Sequence, residues 1–184
     1  NQICKQTKKV NKTKLYDIES LSNSKRLKNL AVIYQINQQS AILKAKGQQA
    51  IYLYKCAKGL KYLNTYDINI DKINRFYNLL EITNISNVKQ IFIKKVNVDD
   101  YILDGNKIDI FNPKYQNEIV KNIKGIYKKR YLHFKYKNKN KKIRIYAKDK
   151  SILPKNNQSI IIHTGHISIY KSKIQITLHK KSDF

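Results

Sequence analysis

Within residues 123–137, IKGIYKKRYLHFKYK, branched and aromatic side chains alternate with polar ones from Tyr131 onward. Side chains of a strand point to its two faces in turn, whereas a helix would scatter the same set around its circumference. The spacing therefore predicts a strand with Leu132, Phe134 and Tyr136 towards a core, on the side shared by Lys128 and Arg130. Tyr127, Lys129, Tyr131, His133 and Lys135 fall on the other face. Four more short runs follow, at 141–148, 158–165, 166–172 and 173–180, separated by polar turns. Five antiparallel strands of this length predict a small closed barrel.

Upstream the pattern changes. From about 24 to 82 apolar residues recur at helical spacing: Leu27, Leu30, Ile33 and Tyr34; Ala50, Leu53, Tyr54, Ala57 and Leu60; Ile73, Phe76, Tyr77 and Leu80. Breaks at 37–40, 58–59 and 64–67 divide them into three helices, with Ser24 and Asn69 as N-caps. Residues 89–98 and 101–111 contain β-type runs with a turn at Asp104-Gly105, and 112–120 reads as a turn and short helix led by Pro113. The expected class is α+β, an N-terminal helical region followed by a small antiparallel β-barrel. Its parts are a basic arm (1–14), a helical region (15–86), a hairpin and connector (87–120) and the barrel (121–184).

Charge narrows the function. Thirty-eight Lys and Arg face 12 Asp and Glu, a net +26, and an apolar content of 41% is enough for a real core. Self-repulsion on that scale opposes compaction unless a polyanion screens it. The excess runs the length of the chain, 22 of the basic residues lying after position 92. A single polybasic cluster would suit a membrane surface; this spread suits nucleic acid. No apolar run approaches a membrane span. Cys4 and Cys56 stand apart from each other and from any CxxC, so no zinc site is expected and a disulfide is left open. The sequence has no Met, which suggests a processed or imported chain, or a fragment.

Two stretches, IKGIYKKRYLHFKYKNKNKKIRIYAK and SIIIHTGHISIYKSKIQITL, carry a resemblance. A strand glycine, an aromatic-rich strand and a charged turn, then an apolar strand, a glycine and a strand ending in Tyr, make residues 121–180 similar to the OB-fold of the exonuclease VII large-subunit N-terminal domain and related anticodon-binding domains. The resemblance implies an OB-type barrel that binds nucleic acid. The resemblance is not expected to extend to catalysis, since the sequence as read stops at Phe184, straight after the barrel.

On such a barrel, aromatic residues stack on bases and cations follow phosphates. The candidate residues are Tyr127, Lys128, Lys129, Arg130, Tyr131, His133, Lys135, Lys137, Lys139, Lys141, Lys142 and Arg144; residues 121–150 hold thirteen Lys and Arg against Asp149 alone. No catalytic residue, metal, cofactor or small-molecule substrate is expected. His163 and His166 bracket a turn without a neighbouring carboxylate, and Asp99, Asp100, Asp104 and Asp109, the only group a metal-dependent nuclease could use, fit a hairpin tip equally well. The expectation is a structural RNA-binding protein, a component of a ribosome or similar particle, with RNA and neighbouring proteins as partners and a mitochondrial or cytoplasmic location. The alternative is a single-strand-binding OB module of a replication, repair or telomere complex.

Overall fold

The computed structural model describes residues 25–92 and 94–184. The predicted basic arm, the cap at Ser24 and Cys4 lie outside them. Five strands, β1 (Lys25–Gln35), β2 (Ala41–Lys44), β3 (Ile51–Leu53), β4 (Thr65–Phe76) and β5 (Leu79–Phe92), close a barrel in the order β1-β2-β3-β5-β4. Neighbours run antiparallel except β3 and β5, which pair in parallel with Leu53 opposite Ile82.

The remaining strands are β6 (Leu103–Asp104), β7 (Ile119–Lys121), β8 (Ile123–Lys128), β9 (Tyr131–Tyr136), β10 (Lys139–Tyr146), β11 (Gln158–Ile162), β12 (Gly165–Tyr170) and β13 (Lys173–Thr177). They form one sheet in the order β11-β8-β9-β10-β13-β12-β7-β6. Strands β7 and β8 are halves of one long strand broken at Asn122 (φ 64°), and β11 and β12 are halves of another broken at His163-Thr164. Because β8 pairs with β11 and β7 with β12, this sheet also closes on itself. Its strand order repeats the first, with β10 and β13 as the parallel pair. Both are five-stranded Greek-key barrels of the OB type.

The helical region expected at 15–86 is therefore corrected: its described residues fold into strands of the first β-barrel, and the described residues as a whole are nearly all β, with only short 3-10 turns besides. The physical reason lies in double burial. Leu30 and Val32 face the first barrel's interior, while Ala31, Ile33 and Tyr34 face the second barrel. A strand covered on both sides loses its alternation and reads as a continuous apolar run. Strand β2 does the same, with Ala41 and Leu43 inward and Ile42 outward. The spacing of Ile73, Phe76, Tyr77 and Leu80 arises from a hairpin, whose two-residue turn Tyr77-Asn78 has φ 46° and 73°. Asn69, expected as a cap, lies within β4 and accepts from Arg26 Nη1 at 3.0 Å. Asp104-Gly105 is not a hairpin tip: β6 pairs in parallel with β7, and Asp104 Oδ1 instead accepts the Asn106 N–H at 2.9 Å.

Each barrel has its own apolar core, and a third cluster of Ala31, Ile33, Tyr34, Ile42, Ala50, Tyr101 and Ile119 joins them. Polar contacts cross the same seam. Lys44 Nζ lies 2.8 Å from Glu118 Oε2 and donates to the Tyr101 carbonyl oxygen at 3.0 Å, while Glu118 Oε1 accepts the Ala50 N–H at 3.0 Å. Burial pushes the Glu118 carboxyl above its ordinary value, against the pull of Lys44 and the Ala50 N–H. Asn117 Nδ2 donates to the Leu80 carbonyl oxygen, and Gln116 Oε1 accepts the Leu80 N–H. Asp183, 1% exposed, accepts from the Tyr34 hydroxyl, the Thr164 hydroxyl and the His179 N–H. These polar groups of the seam are thus paired with one another, as low-dielectric surroundings require.

Candidate nucleic-acid interface

Eighteen Lys and Arg and two Asp and Glu lie in 119–184, against eleven and three in 25–92. The second barrel therefore carries the denser charge, and its strand register decides where that charge points. Strand β8 pairs Lys128 with Tyr131 and Ile126 with His133; β9 pairs His133 with Lys142 and Tyr131 with Arg144. Residues opposite one another share a face. Lys128, Tyr131, His133, Lys135, Lys142 and Arg144 thus form one outward surface across three strands. Lys142 Nζ sits 4.9 Å from the Tyr131 ring centroid, a cation against an aromatic face.

Gly125 makes the tight β8–β9 pairing possible. A β-carbon there would run into the His133 carbonyl oxygen and meet Leu132 Cδ1 at 3.0 Å. The β8–β9, β9–β10 and β12–β13 hairpins all use two-residue turns with both φ positive, at Lys129-Arg130, Lys137-Asn138 and Lys171-Ser172. That conformation matches strand twist and keeps the turns short. Lys129 is held further by its N–H bond to Asn156 Oδ1 at 3.0 Å.

Not every predicted residue joins this surface. Tyr127 is a correction: it is 6% exposed and belongs to the barrel core, because the turn at 129–130 interrupts the run and resets the alternation. Lys128, for the same reason, faces outward. Lys139 and Lys141 pair with Tyr136 and Phe134, so they lie on the reverse side of the ribbon, beyond the edge of the core. Lys137 occupies a turn and lies 5.4 Å from the Tyr136 ring centroid. Lys124, Ile126 and Tyr146 share the outward surface and escaped the sequence reading; the alternation of KKIRIYAK, carried one step past Arg144, reaches Tyr146.

The other candidate groups resolve into local structure. His166 and His163 do not meet; His166 is fully buried, with Nδ1 3.0 Å from His179 Nε2 and Nε2 2.9 Å from Asn117 Oδ1. Burial drives the His166 pKa well below 6.5 and takes that of His179 down to about 4. Asn117 Nδ2 is already donating to Leu80, so its oxygen accepts from His166, and His166 Nδ1 accepts from His179. Asp99 lies 3.6 Å from Lys121, Asp100 lies 3.8 Å from Lys46, and Asp109 Oδ1 accepts the Phe111 N–H. The Cys56 thiol donates to the Ile82 carbonyl oxygen, and burial raises its pKa to about 11.

No family model and no curated protein matches this chain. Three solved structures are similar at low identity. A murine DNA binding protein bound with double-stranded DNA is 13% identical with a TM-score of 0.44, over 85% of this chain and 91% of that one. A p204 HINb domain is 10% identical with a TM-score of 0.41, over 85% and 92%. A tetrameric p202 HIN2 is 11% identical with a TM-score of 0.38, over 89% and 90%. None of the three is an exonuclease VII or anticodon-binding domain. The class this chain belongs to is defined by its own strand order, a tandem of two OB-type barrels.

Proposed function

We propose that this chain is a nucleic-acid-binding module that acts by binding and not by catalysis, the β8–β10 surface of its second barrel following a phosphate backbone. One observation carries the reading: Lys128, Lys135, Lys142 and Arg144 line up with Tyr131 and His133 on the strands that form the binding face of OB-folds, and among the described residues these three strands contribute no carboxylate to that surface. Asp99 and Asp100 are engaged in ion pairs, and Asp104 and Asp109 accept backbone N–H groups in turns. The reading is closer to an OB module than to a component of a ribosome.

The test is a salt series of binding affinity for short DNA and RNA, with the parent and with Lys128, Lys135, Lys142 and Arg144 all changed to Gln. Each phosphate contact contributes about 0.7–0.9 to the slope of log affinity against log salt, so loss of four should flatten it by roughly 3. An unchanged slope would remove this surface from consideration. A strong preference for RNA, with release from a large particle by RNase, would return the weight to a ribonucleoprotein role.

A further inference from the structure

The two barrels place equivalent hairpins, β4–β5 and β12–β13, tip to tip. Asn78 Nδ2 donates to Ser172 Oγ at 2.6 Å, joining the turn of one to the turn of the other. Around this bond lie Phe76, Tyr77 and Tyr170, which are 50%, 49% and 42% exposed. Their rings are in contact, with centroids 4.7 Å apart for Phe76 and Tyr77 and 4.8 Å for Tyr77 and Tyr170. Lys171 Nζ lies 5.8 Å from the Tyr77 centroid and 5.3 Å from that of Tyr170. No Asp or Glu occurs between Lys72 and Leu80 or between Ile167 and Thr177, whereas Lys72, Arg75, Lys171 and Lys173 do.

Three large rings left half in water at the meeting point of two rigid hairpins are not explained by either barrel's core. Their chemistry is that of a stacking surface: aromatic faces for bases, with cations at the margin for the phosphates between them. In OB-folds the loop joining the fourth and fifth strands borders the binding face. Here the parallel β10–β13 register, Arg144 opposite Gln175, sets the 171–172 turn towards the Lys142 end of β10 and not the Tyr146 end. The platform therefore adjoins the basic surface.

We propose that Phe76, Tyr77 and Tyr170 form a platform on which unpaired nucleobases stack, making single-stranded nucleic acid, or an unpaired end, the ligand class. This rests on the nucleic-acid reading above and adds a selectivity to it. Bases within a duplex have both faces covered by their neighbours and present only edges and phosphates, so a duplex can use the cations but not the rings.

The experiment compares a single strand with a blunt duplex of equal length by fluorescence anisotropy, using the full chain, Tyr77→Ala/Tyr170→Ala, and the four-fold Gln variant. The parent should favour the single strand, and the aromatic variant should lose about tenfold or more on it while keeping its duplex affinity and its salt slope. Equal losses on both ligands, or no loss on the single strand, would overturn the platform while leaving the nucleic-acid reading intact if the Gln variant is weakened. Absence of binding by the parent would defeat both. Phe76→Leu, which keeps apolar bulk without a ring, should weaken single-strand binding without changing the thermal transition, and an affinity equal to the parent's would count against stacking.

Discussion

Replacing Lys44 by Met would expose how strongly the seam between the barrels depends on one ion pair. The two side chains are 5% and 4% exposed. Met fills much of the volume of Lys but leaves Glu118 charged and buried, with the Ala50 N–H as its remaining donor, and leaves the Tyr101 carbonyl oxygen unpaired. Breaking a buried pair in this way costs about 3–5 kcal/mol. Glu118→Leu should cost a similar amount by stranding the ammonium. In the double variant both charges are gone, and what remains is an unpaired Ala50 N–H and Tyr101 carbonyl, together about 2–6 kcal/mol. Singles summing to roughly 8 kcal/mol against a double near 4 give a coupling of about 4 kcal/mol. Urea unfolding followed by tyrosine fluorescence reads this directly, since the chain has fourteen Tyr and no Trp. A loss of about 4 kcal/mol moves the midpoint by roughly 2 M. The Lys44→Met deficit should also shrink on acidification: the stranded carboxyl titrates above its unfolded value, so protonation relieves the folded state first. A single-variant cost below about 1 kcal/mol, or a double equal to the sum of the singles, would refute the argument.

Three further outcomes are expected. Stability should fall as pH drops from 6.5 towards 4, because the unfolded chain takes up protons that buried His166 and His179 refuse; His179 alone contributes a slope of about 1.4 kcal/mol per pH unit, some 3 kcal/mol in all, and His179→Gln should reduce the slope measured by urea midpoints. Gly125→Ala should cost about 2–3 kcal/mol, seen as a lower melting temperature, since the new methyl meets backbone that cannot yield without opening the β8–β9 ladder; a neutral result would contradict that register. Changing Lys137-Asn138 to Asn-Gly should add roughly 1 kcal/mol in the same assay by easing the two positive φ angles of 50° and 61°, and a loss would show that the native pair makes contacts worth more than the strain.

The second barrel was legible because its strands β8 to β10 have one wet side. Leu132 and Phe134 inward against His133 and Lys135 outward is a pattern that a single sequence can display. Tyr127 falls on the wrong face when the alternation is run through the turn, for nothing in KKRY marks where the strand stops except the ability of Lys129 and Arg130 to take positive φ, which composition does not advertise. The first barrel was illegible for the opposite reason. Leu30 to Tyr34 are all buried, and the partner that buries Ala31, Ile33 and Tyr34 is contributed by residues up to 149 positions away. Local periodicity records only the solvent a strand sees, so a strand with none looks like any other apolar run. The aromatic platform was hidden likewise: Tyr77 and Tyr170 are 93 positions apart, and only the repeated topology brings them together.

The reach from Tyr34 to Asp183 also bears on how the chain is made. A first barrel complete in its own strands by Phe92 still shows Ala31, Ile33, Tyr34, Ile42 and Ala50 to water until Tyr101, Ile119 and finally Asp183 have been synthesised. At translation rates of about 5–20 residues per second that interval lasts roughly 5–20 s. During it the nascent chain carries an apolar strip on an otherwise finished domain, the condition under which chaperones bind and neighbouring nascent chains exchange partners.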